Sequence, residues 1–167
     1  MKSIRDIADA RILRSRCSVM TLRKYLKQKS FEIEDIDSII SDFLEYGYLD
    51  DLEYSKDFIS YGENKGWGKS RIQNELRKRG IRAELINEAY ETCMDELEED
   101  ANTGEYDRAF GVALKIIRQS GVDCEQKLPE KVRNRIIRRL SSYGYGASIV
   151  FSVLRNIDEM TDYELFE

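Results

Sequence analysis

Apolar side chains recur along most of the chain at intervals of three and four residues. Ile4, Ile7, Ala8 and Ile12 follow this spacing, and Tyr54 and Phe58 follow it again. Such a period places the side chains on one face of a helix, whereas a half-buried strand would alternate apolar and polar positions. No segment combines alternation with enrichment in β-branched residues. The pattern therefore predicts an all-α fold.

Glycines fall at or beside the ends of the periodic runs, where a turn or a left-handed helix cap needs them. The apolar period and these breaks together predict nine helices, with boundaries uncertain by about 2–4 residues. The helices are expected at 4–16, 19–29, 33–46, 51–64, 69–79, 83–97, 105–120, 130–143 and 147–157.

One helix–turn–helix pattern occurs three times. Its reference positions are Phe31, Ile81 and Tyr145, which are offset by 50 and then 64 residues. Apolar residues lie five and nine positions before each reference, and most of the positions eight, nine and twelve after it are apolar and bulky. A residue suited to a sharp turn precedes each reference, namely Ser30, Gly80 or Gly144. Chance agreement between amphipathic helices is the alternative, and the number of matches favours a true repeat.

A further helix precedes each pair, so the repeat predicts three tandem three-helix modules. They occupy 1–50, 51–96 and 105–158, with an acidic linker at 97–104 and an acidic tail at 159–167. A module of about 50 residues has a small core and depends on its neighbours. Tandem modules form elongated, curved helical-repeat bodies that offer a long binding face. We therefore expect a docking surface rather than a catalytic pocket.

The composition excludes several kinds of chemistry. The chain has no histidine, so an imidazole base or a histidine-containing metal site is impossible. Its three cysteines, Cys17, Cys93 and Cys124, show no metal-site spacing and fit a reducing compartment. Neither a secretory leader nor an apolar run of membrane-spanning length is recognisable. We expect a cytoplasmic monomer that is not an enzyme, with no catalytic residues, cofactor, metal or membrane contact.

Charge is sorted along the chain although the net charge is only −5. The segments 11–29, 65–82 and 127–139, which cover the middle helix of each module, hold 20 of the 27 basic residues and two of the 32 acidic ones. These basic helices either contact an acidic partner surface or DNA phosphates, or pair with the acidic third helices of their own modules. The candidate partner or DNA contacts are Lys69, Arg71, Arg77, Lys78, Arg79, Arg82, Lys131, Arg135, Arg138 and Arg139. Among them, Arg71, Lys78 and Arg82 have the spacing of one helical stripe.

Two short motifs that resemble binding sites are better explained by local backbone structure. Gly68-Lys69-Ser70 resembles the end of a phosphate-binding loop, but Glu63 occupies the place of the first glycine and the preceding residues read as helix. A helix–helix turn is the better interpretation. Asp50-Asp51 suits a helix start better than a metal pair, because Asp50 followed by Glu53 has the spacing of a capping box.

Several segments resemble the recombination regulator RecX family, and the similarity covers nearly the whole chain. The strongest matches lie in the second module, at Tyr48–Asp51 with Tyr54 and Phe58, at Gly66–Ile72 and at Glu75–Ile81. Segments 18–31 and 136–145 are similar to the corresponding parts of the other modules.

The resemblance implies a regulator of homologous recombination and DNA repair, connected with the SOS response, that binds the groove of the RecA recombinase filament. It further implies that binding modulates, and mainly inhibits, the ATPase, strand-exchange and coprotease activities of RecA, without catalytic residues of its own. The alternative is a DNA-binding helical module that acts through its basic middle helices without RecA. A nucleotide-dependent enzyme is a remote third possibility.

Overall fold

The computed structural model describes residues 3–95, 101–122 and 128–163. Within these ranges the chain forms helices and no strands, which confirms the all-α prediction. The described helices are α1 (Ile4–Arg14), α2 (Val19–Gln28), α3 (Ile33–Glu45), α4 (Asp51–Asn64), α5 (Lys69–Lys78), α6 (Ala83–Asp95), α7 (Ala101–Ser120), α8 (Glu130–Ser142) and α9 (Ala147–Tyr163).

Two helices are longer than expected. Helix α7 begins at Ala101, four residues before its expected start, so residues 101–104 of the expected linker are helical. The helix passes through Gly104, because a glycine costs a helix only about 1 kcal/mol. Helix α9 continues to Tyr163, six residues past its expected end at 157. The rest of the expected linker (97–100), the end of the tail (164–167) and Cys124 lie outside the described residues.

The chain divides into two compact units. Unit 1 comprises Met1–Ile59 and Asn74–Cys93, and unit 2 comprises Ser60–Gln73 and Met94–Glu167. The boundaries fall inside α4 and α5, so the units do not coincide with the three modules, which remain a prediction.

Each unit contains an apolar core, and burial follows the repeat. Of the positions that define the repeat, Phe31 and Cys93 are partly exposed and all the others are buried. The core of unit 1 includes Ala8, Leu22, Leu26, Ile36, Ile40 and Phe43. The core of unit 2 includes Ala109, Ala113, Ile136, Leu140, Val153 and Leu154.

The turn that precedes each reference position is left-handed, as expected. The φ angles are 64° at Ser30, 81° at Gly80 and 85° at Gly144. After Gly80, the N–H of Ile81 donates to the Leu76 carbonyl at 3.2 Å, and this bond closes the end of α5. The sequence signal for a sharp turn is therefore confirmed in all three places.

In unit 1, the turn between α5 and α6 packs against the start of α2. The Ser18 hydroxyl donates to the carbonyl of Arg79 at 2.6 Å. Gly80 lies so close to Met20 that a Cβ at residue 80 would be 2.6 Å from the Met20 Cβ. A side chain at this turn would therefore displace α2.

In unit 2, the turn between α8 and α9 packs against the start of α5, backbone against backbone. The N–H of Gly68 donates to the carbonyl of Tyr143 at 2.8 Å. A Cβ on Gly68 would lie 2.7 Å from the carbonyl carbon of Gly144, and a Cβ on Gly144 would lie 2.6 Å from the backbone nitrogen of Arg71. Both glycines are needed because main-chain atoms fill the space.

The two contacts are equivalent under the repeat. Gly68 lies 50 residues after Ser18, and Tyr143 lies 64 residues after Arg79, which are the offsets of the reference positions. In both units we call this arrangement the turn contact. It is accompanied by a second shared feature, an acidic side chain that accepts from the first residue of the middle helix. Val19 N–H donates to Asp51 Oδ1, and Lys69 N–H donates to Glu105 Oε1, each at 2.9 Å.

Replacing Gly68 by alanine tests the turn contact. The new Cβ would be 2.7 Å from the carbonyl oxygen of Gly144, so the backbone must shift, and we expect a loss of about 1–3 kcal/mol in the free energy of unfolding. Gly111→Ala is the matched control, because a Cβ there meets nothing within 4 Å and alanine favours the helix by up to about 1 kcal/mol. Chemical denaturation measures both. A Gly68→Ala protein as stable as the wild type would contradict the contact.

Candidate partner-binding surface

The ten candidate contact residues differ in how far their side chains are exposed to solvent. Arg71 and Arg79 are half-buried, and their side chains contact other parts of their own units. The other eight are exposed, namely Lys69, Arg77, Lys78, Arg82, Lys131, Arg135, Arg138 and Arg139. The two half-buried arginines therefore stabilise the fold, and the exposed residues remain candidates for binding.

Arg71 is held between two aromatic rings in unit 2. Its guanidinium carbon lies 4.2 Å from the ring centroid of Trp67 and 5.5 Å from that of Tyr143. One nitrogen also donates to the carbonyl of Ser142 at 3.2 Å. Each cation–π contact contributes about 0.5–2 kcal/mol, so Arg71 is a structural residue at the turn contact.

In unit 1, Arg79 is likewise held by an aromatic ring and by hydrogen bonds. Its guanidinium lies 4.4 Å from the Phe58 centroid and donates to Glu75 Oε2 at 2.7 Å. Lys78 donates to the other Glu75 oxygen at 2.8 Å. The hydrogen bonds from Arg79 and Lys78 lower the pKa of Glu75 from 4.5 to about 2. Glu75 therefore matches one of the positive charges at the end of α5 within unit 1.

The expected helical stripe of Arg71, Lys78 and Arg82 does not form. Helix α5 ends at Lys78, and the left-handed Gly80 turns the chain before Arg82 is reached. The three positions have the spacing of one face of a continuous helix. The chain turns at Gly80, so Arg82 does not lie on the face that Arg71 and Lys78 would share. Arg77 and Arg82 remain exposed near the end of α5.

A groove between α7 and α8 collects three of the other candidates. It has a volume of about 470 Å³. The lining residues are Ile116 and Gln119 from α7, and Arg135, Arg138, Arg139 and Ser142 from α8. We call this feature the α7–α8 groove. The spacing of the α8 residues places all four on one helix face, whereas no local signal identified Gln119.

The three arginines of the groove form no ion pair with a described residue. Arg138 Nε donates to the Asn134 carbonyl at 3.3 Å, and Arg139 lies 4.6 Å from the Tyr143 centroid. By contrast, Arg133 on the same helix bonds Asp158 of α9 at 2.6 Å. No carboxylate of the described residues therefore pairs with the positive charge of the groove.

Pairing of middle helices with acidic third helices is confirmed for two residues. Arg133 pairs with Asp158 in unit 2, and Arg23 of α2 pairs with Asp37 of α3 in unit 1. Pairing within a unit, the alternative explanation for the sorted charge, is thus correct for some of the basic residues. It does not apply to the arginines of the α7–α8 groove.

The two short motifs are structural. Asp50 Oδ1 accepts from the N–H groups of Leu52 and Glu53 at 2.8 and 3.0 Å, which confirms its role at the start of α4. Burial raises the pKa of the Asp51 carboxyl, and its hydrogen bond from Val19 opposes that shift. Glu63, in the position of the missing glycine, lies in α4 and pairs with Arg108 at 2.9 Å. The chain is therefore helical through Asn64, as expected, and residues 65–68 form the turn to α5.

No helix in the described part of the chain has an apolar stretch long enough to cross a bilayer.

Comparisons with known proteins agree on one family. The family model described as "RecX, second three-helix domain" matches residues 50–89. A curated protein of Cronobacter sakazakii, named Regulatory protein RecX, is 26% identical over 156 residues, which are 93% of this chain and 87% of that protein. Its namesake in Vibrio vulnificus is 34% identical over 90 residues, which are 54% of this chain and 59% of that protein.

Two solved structures share the fold. The crystal structure of RecX from Lactobacillus salivarius superimposes with a TM-score of 0.71 at 16% identity, covering 92% of this chain and 93% of that one. A second crystal structure, of a protein titled regulatory protein RecX, gives 0.72 at 17% identity and covers 90% of this chain and 70% of that one. At these identities the likeness establishes the fold alone.

The Glu75 cluster predicts a specific acid sensitivity. Because the folded-state pKa of about 2 lies below the usual 4.5, the stabilisation is complete above pH 4.5 and is lost as the pH falls from 4.5 towards 2. We expect Glu75→Gln to lower stability at neutral pH and to flatten the fall in melting temperature over that range. The control is Glu91→Gln, since Glu91 is exposed and forms no ion pair with a described residue. If the melting temperatures of the wild type and Glu75→Gln fell in parallel as the pH was lowered, this account would be refuted.

Proposed function

We propose, because the chain belongs to the RecX family of regulatory proteins, that it binds the filament of the RecA recombinase. The observation that carries the proposal is the match to a protein named Regulatory protein RecX over 93% of this chain and 87% of that relative. A match of that extent concerns the whole arrangement of helices rather than one module.

Binding would lower the activities that need an unobstructed filament, which are ATP hydrolysis, strand exchange and coprotease activity. The protein would act by occupying a surface, with no reaction of its own. A regulator of this kind works where the bacterial chromosome lies, in the cytoplasm. The monomer is the expected active form.

Exposed basic residues at the end of α5 support a docking role. Arg77 and Arg82 both point their charge to solvent in unit 1, and Arg82 forms no ion pair with a described residue. Exposed charges of one sign speed and orient association with a surface of opposite sign. We therefore assign Arg77 and Arg82 to the contact with an acidic part of the recombinase.

The direct test is the DNA-stimulated ATPase of RecA on single-stranded DNA, measured with increasing amounts of the protein. We expect the rate to fall, with the full effect at or below one molecule per recombinase protomer. Co-sedimentation with the filament measures binding in the same samples. An unchanged rate together with no co-sedimentation at stoichiometric amounts would reject the proposal.

Charge reversal at the end of α5 tests the contact residues. We expect Arg77→Glu/Arg82→Glu to need at least about fivefold more protein for half-maximal inhibition, which corresponds to about 1 kcal/mol of lost attraction. The control, Lys115→Glu/Arg118→Glu, makes the same charge change at exposed positions of α7. Equal inhibition by the two variants would remove Arg77 and Arg82 from the contact and leave filament binding itself to the first test.

A further inference from the structure

We propose that the thioether of Met20 is an oxidation site, and that its conversion to methionine sulfoxide opens the turn contact of unit 1. The oxidant belongs to the hydroperoxide class, of which hydrogen peroxide is the simplest member. The basis is the packing of the Met20 sulfur against the turn between α5 and α6.

Met20 fills the space beside Gly80. The three atoms that a Cβ on Gly80 would approach most closely all belong to the Met20 side chain. The sulfur is the nearest of them, ahead of the Met20 Cβ at 2.6 Å and its Cγ at 3.0 Å. The sulfur therefore lies directly against the left-handed turn that α2 packs on.

The Met20 side chain can also be reached from solvent. It is the second residue of α2 and is partly exposed. A thioether has no proton to lose before it reacts, so small oxidants attack accessible methionines readily. Met20 thus combines access for a small oxidant with a position at a contact between distant parts of the chain.

The reaction transfers one oxygen atom. A lone pair of the sulfur attacks one oxygen of hydrogen peroxide, and the O–O bond breaks. The transferred oxygen loses its proton to the departing hydroxide, so the products are the sulfoxide and water. The sulfur is oxidised by two electrons and the peroxide is reduced by two. An apolar atom is thereby replaced by a group with a strong hydrogen-bond acceptor.

The turn has no main-chain donor left for that acceptor. The N–H groups of residues 79, 80 and 81 already donate to carbonyls at the end of α5, over 2.9–3.2 Å. The nearby Ser18 hydroxyl donates to the Arg79 carbonyl at 2.6 Å. A buried acceptor without a donor is unfavourable, so the sulfoxide oxygen must be hydrated instead. Because the sulfur lies against Gly80, α2 has to move away from the turn for water to reach it.

The equivalent contact of unit 2 provides an internal reference. The residue 50 positions after Met20 is Ser70, which has no sulfur to oxidise. The turn between α8 and α9 instead approaches backbone atoms of Arg71 and bonds the N–H of Gly68. Oxidation should therefore open one of the two turn contacts and leave the other closed.

The opening would also affect the residues assigned to the recombinase. Arg77 and Arg82 lie just before and just after the turn, and the N–H of Gly80 donates to the Arg77 carbonyl at 2.9 Å. A turn released from α2 no longer holds these two charges in fixed positions. This consequence rests on the proposed filament binding, whereas the opening of the turn contact does not.

Cysteine thiols are the competing targets, because thiolates also react with hydroperoxides. Cys17 is buried, and burial raises the pKa of its thiol, so it holds little thiolate at neutral pH. Cys93 is partly exposed and is the stronger competitor. Dithiothreitol reduces sulfenic acids and disulfides but leaves a sulfoxide unchanged, which separates the two kinds of oxidation.

The test is amide hydrogen exchange of the full chain before and after hydrogen peroxide treatment, with dithiothreitol added afterwards. Peptide mass spectrometry measures the oxygen gained at Met20. We expect the Ile81 amide to exchange at least about tenfold faster after oxidation, since a buried unpaired acceptor favours local opening. The Tyr145 amide, which is its equivalent in unit 2, should be unchanged. The melting temperature should fall by about 3 °C or more.

Two leucine variants are the matched controls. Leucine has nearly the volume of methionine and no sulfur, so Met20→Leu should keep the same Ile81 exchange with and without peroxide. Met160 is 53% exposed in α9, and Met160→Leu should respond to peroxide as the wild type does. Treatment with the two methionine sulfoxide reductases, one for each epimer, should restore slow exchange in the oxidised wild type.

Three outcomes would overturn the proposal. They are an unmodified Met20 under conditions that fully oxidise Met160, unchanged Ile81 exchange once Met20 is oxidised, and an equal response to peroxide in Met20→Leu and the wild type.

The ATPase assay on reduced and oxidised protein tests the consequence for the recombinase. We expect the oxidised protein to need at least about fivefold more for half-maximal inhibition. Equal inhibition with accelerated Ile81 exchange would support the oxidation site and reject its effect on the contact. Absence of inhibition by the reduced protein would count against filament binding, and the exchange data would still decide this proposal.

Discussion

The structure depends on main-chain packing at the turn contact. A helix start leaves backbone N–H groups without partners inside the helix. In unit 1 these groups are satisfied by Asp51, and in unit 2 by Glu105 and the carbonyl of Tyr143. Because these partners come from a distant part of the sequence, the start of a middle helix (α2 or α5) and the turn after the next middle helix (α5 or α8) stabilise each other. This requirement explains why small residues, Ser18 and Gly68, stand at equivalent positions.

The turn contact also decides what the basic residues can do. In unit 2, the Arg71 guanidinium lies between the rings of Trp67 and Tyr143. In unit 1, the Arg79 guanidinium contacts the Phe58 ring and pairs with Glu75. These positive charges are therefore part of the fold. In α8, Arg139 contacts Tyr143 and Arg138 bonds the Asn134 carbonyl, but the three arginines on the groove face form no ion pair with a described residue. Three basic helices of similar sequence thus place their charged side chains in different surroundings.

Helix positions and core residues followed from the sequence because they depend on local periodicity. The repeat in Leu22, Leu26, Ile39 and Phe43 is a property of single helices, and burial confirms it. The contacts of individual charged side chains did not follow from the sequence. Whether Arg71 is held within the fold depends on the Tyr143 ring and the Ser142 carbonyl of a distant turn, which no spacing along one helix records. Gln119 was missed for the same reason, since only the packing of α7 on α8 brings it to the groove.

The turn contact and the acidic acceptors that accompany it are tested most directly by amide hydrogen exchange at Val19, Gly68 and Lys69. Amides in the first turn of a helix ordinarily exchange quickly because they lack intrahelical acceptors. Here each one donates to a group from a distant part of the chain, at 2.8–2.9 Å. The account predicts slow exchange at all three, comparable to the interior of α2 and α5. Fast exchange at these amides, with the helix interiors protected, would contradict it.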